Sequence, residues 1–156
     1  MATIRVTERV SRPFSGSRVD REAGTISGVL LCGTSSANGR DYPADVLRRD
    51  YRAYEGRPVN CDHGREATVD RRLGWFTDVS PGPDGRPRGT LNLLKSHPMF
   101  DRVMEAAERN PSLYGFSHVA MCDTRRGRDG REVVEAIRAI ESIDLVAEPA
   151  TVKSLF

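Results

Sequence analysis

Two stretches of this chain carry the periodicity of an amphipathic helix, and they are set irregularly among six or seven runs that read as strands. A parallel sheet needs strand and helix in regular alternation. The irregular order instead favours an α+β domain with mainly antiparallel strands. The first helix is predicted over 43–56, "PADVLRRDYRAYEG". Pro43 suits the first helical position and Gly56 the C-terminal stop. Val46, Leu47 and Tyr54 supply its apolar face. The second helix is predicted over about 97–110. Its Phe100, Val103, Met104 and Ala107 fall at i, i+3, i+4 and i+7, a stripe that faces a core. Ser96 is the expected N-cap, and Asn110-Pro111 closes the helix.

The strands are short and bounded by turn residues. "TIRVTERV" (3–10) alternates, and "TISGVLLCG" (25–33) is buried at its C-terminal half. Residues 11–24 between them read as a loop or a short irregular hairpin, and 34–43 as a loop turning at Asn38-Gly39. "PVNCDHG" (58–64) is a short strand leading to a turn. Residues 71–80 and 86–96 form a hairpin around "PGPDG". A strand at 112–122 is followed by a polar, basic hairpin loop, "DTRRGRDGRE", whose arginines read as a solvated tip. The last strand, "VVEAIRAIESIDLVAE", loses its alternation near Glu141, the mark of a bulge, and Pro149 stops it.

Composition narrows the function classes. Hydrophobic residues make up 38% and charged residues 29%, as in a soluble globular protein. No apolar run approaches the roughly 20 residues of a membrane span, and "MATIRVTERV" is no signal peptide, so no membrane partner is expected. Cys32, Cys61 and Cys122 are too few and too odd for a disulfide framework and read as reduced thiols of a cytoplasmic protein. All basic residues but Lys95 and Lys153 are arginine, yet 24 basic residues meet 22 acidic ones and the net charge is +2. The concentrated positive field of a nucleic-acid binder is missing, so no nucleic acid is expected.

Three residues could do chemistry together. "SLYGFSHVAM" (112–121) sets Ser117 in the middle of an apolar strand, with Gly115 leaving room beside it on the same face. The serine is either a nucleophile or a buried hydroxyl bonded to a backbone carbonyl. His118 points to the opposite face and reads as structural, unless a bulge in the strand brings it in as a third member. His63 ends a strand before a glycine turn, where it is either a general base or a surface cap. Asp144 lies among Ile143, Leu145 and Val146, costly for a carboxylate unless it is paired. It could hold and stabilise a protonated imidazole, or face solvent from an edge strand. Glu141 has the opposite parity, a distinction that a bulge would remove. A zinc site from Cys61, His63, His97 and Cys122 is disfavoured, because no CxxC or HxxxH pair is present.

Taken in order, "GRDYPADVLRRDYRAYEGRPVNCDHG", "LYGFSHVA" and "IESIDLVAEPAT" resemble three segments of the tailed-phage prohead proteases: a helix and strand ending at a histidine, the segment of the nucleophilic serine, and the closing strand. The likeness covers roughly residues 26–152. It implies a serine endopeptidase that cleaves scaffold and major capsid proteins, and itself, inside the assembling prohead in the host cytoplasm. The implied fold is that of the herpesvirus maturation proteases, a mostly antiparallel β-barrel of six to seven strands with at least two flanking helices. Residues 1–156 would form a single protease domain, with 150–156 the start of a tail of the kind such enzymes trim. The resemblance assigns His63 as general base and Ser117 as nucleophile. Herpesvirus relatives use a second histidine as third member; none follows His118 here, so Asp144 takes that place, with Glu141 as runner-up. No paired arginine follows Asp144, which leaves the oxyanion donors unassigned. No metal or organic cofactor is implied, and the enzyme is expected to be a homo-oligomer, at least a dimer. The alternative is a non-catalytic capsid-assembly or scaffold module of the same fold.

Overall fold

The structure is a computed structural model that describes residues 2–9, 18–36, 38–62, 64, 66–147 and 155–156. In chain order the strands and helices are β1 (Ala2–Arg9), β2 (Arg18–Asp20), β3 (Thr25–Leu30), β4 (Arg40–Asp41), α1 (Ala44–Asp50), β5 (Pro58–Cys61), β6 (Arg72–Pro81), β7 (Pro87–Leu93), α2 (Phe100–Arg109), β8 (Gly115–Arg126) and β9 (Glu132–Val146). Short 3₁₀ turns at Tyr51–Tyr54 and Pro111–Leu113 extend α1 and lead into β8. All the strands join one sheet in the order β1-β8-β9-β5-β6-β7-β3-β2, with β4 pairing separately with β9.

Two expectations are corrected. The sheet holds nine strands among the described residues, and it is open rather than a closed barrel. Closure needs a ladder between the first and last strands. The three-residue β2 pairs with β3, β1 pairs with β8, and among the described residues no ladder joins β1 to β2. Most pairs are antiparallel, as expected, but β4 and β5 both run parallel to β9 along one of its edges. α1 links them and is tied to β9: Asp50 accepts the Ile137 N–H at 2.9 Å, and Arg49 donates to the Glu135 carbonyl at 2.7 Å. A helical crossover that returns to the same sheet edge gives its two strands one direction.

The β8–β9 ladder explains the broken alternation of the last strand. Its register slips three times, between Val119 and Ala120, between Met121 and Cys122, and between Asp123 and Thr124. The residues of β9 left without a partner are Glu141, Arg138 and Glu135. Each is charged, and each forms an ion pair across the sheet: Glu141 with Arg5 at 2.6 Å, Arg138 with Asp123, and Glu135 with Arg125 at 3.1 Å. A bulge every third residue changes the inward period from two to three. Val134, Ile137, Ile140 and Ile143 are accordingly all buried.

α2 buries the predicted stripe of Phe100, Val103, Met104 and Ala107. It starts later than expected, and Ser96 is not its cap. Met99 occupies the N-cap position without a side-chain bond there. The His97 imidazole instead accepts the Met99 N–H at 3.0 Å through Nδ1, which leaves Nε2 to donate to the Asp70 carbonyl at 2.9 Å. His97 is thereby occupied structurally.

The core lies between the inner face of the sheet and the two helices, and includes Leu47, Tyr54, Phe76, Leu91, Met104 and Phe116. Phe76 and Phe116 meet edge to face at 5.4 Å, a favoured aromatic geometry. Gly74 of β6 is fixed by backbone approach: a Cβ there would lie 1.8 Å from the Asn92 carbonyl oxygen. Gly74→Ala is therefore expected to destabilise the protein by about 2–3 kcal/mol, read as a lower urea midpoint with an unchanged m-value. A midpoint equal to wild type would show that β6 and β7 can separate freely.

Candidate active site

Strand pairing sets three polar side chains in one row. Ser117 of β8 opposes Asp144 of β9, and Asp144 opposes Asn60 of β5. Directly opposed residues point to the same face of a sheet, so the three side chains are neighbours. All are buried, at 1%, 3% and 3% exposure respectively. Asn60 Nδ2 donates to Asp144 Oδ1 at 3.3 Å, and Ser142 Oγ donates to Asp144 Oδ2 at 3.4 Å. Ser117 Oγ and Asn60 Oδ1 have no partner among the described residues. An unsatisfied buried polar atom costs about 1–3 kcal/mol, and native proteins carry few of them. Two in one row mark a site whose polar groups are not there for stability.

Glu141, the runner-up to Asp144, is placed elsewhere. It sits at a bulge, its side chain is 41% exposed, and it is paired with Arg5. The bulge that removes the parity distinction does exist, and the register puts Asp144, not Glu141, opposite Ser117. His63 lies outside the described residues. The residues before it are described. β5 ends at Cys61, beside Leu145, and the Asp62 N–H donates to the Leu145 carbonyl at 2.8 Å. Asp62 then turns the chain with φ of 60°, a conformation that asparagine and aspartate tolerate better than most residues. The ladder of β5 with β9 thus ends at Cys61, one residue past the pairing of Asn60 with Asp144. A cleft of about 250 Å³ opens at the same ends of β5 and β9, lined by Cys61, Asp62, Arg102 and Tyr114 among others.

Asn60 was not singled out from the sequence. An Asn in a four-residue strand followed by Cys, Asp, His and Gly reads as the approach to a turn. The available signal was its place between the apolar Val59 and the His63 segment, since a buried amide needs a partner as much as a buried carboxylate does.

His118 points to the opposite face, as read from the sequence. It is buried between two tyrosines, with Tyr54 Oη 2.7 Å from Nδ1 and Tyr42 Oη 3.2 Å from Nε2. Burial, with a smaller contribution from the Arg40 charge, pushes its pKa down to about 3. The neutral ring can accept from one tyrosine and donate to the other. It faces away from Ser117 and stays neutral near neutral pH. Because the folded pKa lies below the unfolded one, the unfolded chain binds the extra proton first, and stability falls as pH drops from about 6.5 towards 3. His118→Asn should flatten that part of the stability–pH curve while lowering stability at neutral pH. An unchanged slope between pH 6.5 and 4 would show that other groups carry it.

No protein-family model and no curated protein matches this chain. The solved structures give a match of fold, to a phage capsid assembly protease. One matching structure is that of the bacteriophage T4 capsid assembly protease, gp21, with a TM-score of 0.60 over 94% of this chain and 99% of that one, at 13% sequence identity. At that identity the likeness is one of architecture.

Proposed function

We propose that this chain is a prohead maturation protease of the serine type. The observation that carries the reading is the buried row of Ser117, Asp144 and Asn60, with a serine hydroxyl that has no partner among the described residues, in a fold shared with a capsid assembly protease. A serine becomes a nucleophile when a base takes its proton. His63, on the segment leaving β5, is that base. Ser117 Oγ attacks the peptide carbonyl, the leaving amine takes the proton from His63, and water activated by the same imidazole releases the acyl group. Asp144 stabilises the imidazolium and orients the ring. Asn60 holds the Asp144 carboxylate through Nδ2.

The substrates of this reading are scaffold and major capsid proteins, and the protease's own chain. The place of action is the assembling prohead in the host cytoplasm. The fold is read as a variant of the herpesvirus-protease architecture. A protease that must not digest scaffold early is best kept inactive until it is concentrated, so at least a dimer is proposed as the active form.

The test is labelling with a fluorophosphonate, followed by peptide mapping. A single adduct on Ser117 is expected, lost in Ser117→Ala and His63→Ala. Scaffold cleavage should fall on the order of 10⁴-fold or more in Ser117→Ala and about 10³- to 10⁴-fold in Asp144→Asn. Glu141→Gln should remain within about twofold of wild type, as for a surface ion pair. An adduct elsewhere, or no adduct at any protein concentration, would overturn the serine assignment and leave a non-catalytic capsid module of the same fold.

A further inference from the structure

Past β5, one side chain binds the described residues on both sides of position 63 at several points. Arg71, just before β6, donates from Nε to the Cys61 carbonyl at 3.0 Å, from one terminal nitrogen to the Asp62 carbonyl, and from the other to the Glu66 carbonyl. Its own carbonyl accepts the Cys61 N–H at 2.8 Å. Its N–H is in turn held by Thr68, at 3.2 Å from the carbonyl and 3.3 Å from the hydroxyl. Gly64 lies directly under the guanidinium: a Cβ there would be 2.7 Å from Cζ. A planar fork with fixed donor directions suits three carbonyls at once, which a lysine ammonium on a flexible stem does not.

We propose that Arg71 is a positioning residue for the catalytic base, clamping the carbonyls on both sides of His63 so that the segment is set before substrate arrives. The inference rests on the serine-protease reading above. It adds a requirement that the reading alone does not make. A base on a short segment past a strand end must be held to within a fraction of an ångström, and a displacement of about 1 Å can cost about 10²-fold in rate. The carbonyls of Cys61, Asp62 and Glu66 are the atoms that fix the segment, and all converge on one guanidinium. Gly64 is required by the same arrangement, because any side chain would displace the fork.

The experiment compares fluorophosphonate labelling rates of wild type, Arg71→Ala and Arg71→Lys, with amide hydrogen exchange over 60–68 as the structural readout. Arg71→Ala is expected to label Ser117 on the order of 10²-fold more slowly, with KM for scaffold nearly unchanged and with faster exchange confined to this segment. Added guanidinium ion should restore part of the labelling rate, which a loss of global stability would not allow. Arg71→Lys should also label more slowly while melting as wild type does, so the test stands if the alanine variant fails to fold. Wild-type labelling rates in a folded Arg71→Lys or Arg71→Ala protein would overturn the positioning role and leave the serine assignment intact. Absence of label on wild-type Ser117 would instead sink the serine assignment, and the inference with it.

Discussion

The rest of the site depends on a mismatch in length between two paired strands. β9 supplies three more residues than β8 over their shared ladder, and each surplus residue is expelled as a bulge. If the ladder ran without bulges from the Arg126–Glu132 pair, the residue opposite Ser117 would be Glu141. The three insertions shift the strand until Asp144 arrives there. Bulges bend the strand that carries them and raise its twist, so the same insertions that select the carboxylate also curve the sheet around its core. The cost of three unpaired positions is reduced by making each one a charged residue on the outer face, paired with Arg5, Asp123 or Arg125.

The two faces of β8 do different work within a span of two residues. On the inner face His118 satisfies two buried tyrosines and helps to join the sheet to the chain around α1. On the outer face Ser117 is buried, and its hydroxyl has no partner among the described residues. The unfavourable row of Ser117, Asp144 and Asn60 is sustained by the apolar contacts directly behind it, where Phe116, Ile143 and Leu145 are buried in the core. A buried polar row holds its geometry only when its supporting backbone cannot relax.

Much of this was legible in the sequence where the signal was local. The stripe on α2, the hairpin of β6 and β7, the opposed facing of Ser117 and His118, and the slip at Glu141 all follow from periodicity over a handful of residues. Features that rest on pairing between distant segments were not. β2 and β4 span three and two residues, too few to show any period. The open sheet depends on which edges meet, and no local pattern encodes that. The cap of α2 was misread because His97, rather than Ser96, takes the free N–H of Met99. Asn60 was passed over because its importance comes from the parallel pairing of β5 with β9, a contact between residues far apart in sequence. Asp144 could be nominated by its apolar neighbours, but its choice over Glu141 needed the count of bulges.

The adjacency of Ser117 and His118 has a consequence for how such a chain can change. Alternate residues of a strand face opposite ways, so a slip of one position would carry the serine inward and the imidazole outward. Tyr42 and Tyr54 accept a ring at that inner position, and a serine hydroxyl is too short to reach both. The chemistry proposed for one face is therefore guarded by packing on the other. A lineage that lost the reaction could discard Ser117 and keep its fold, whereas His118 would have to be retained or replaced together with its tyrosines. Neighbouring codons would then drift at different rates, and the more constant of the two would be the one that takes no part in the reaction.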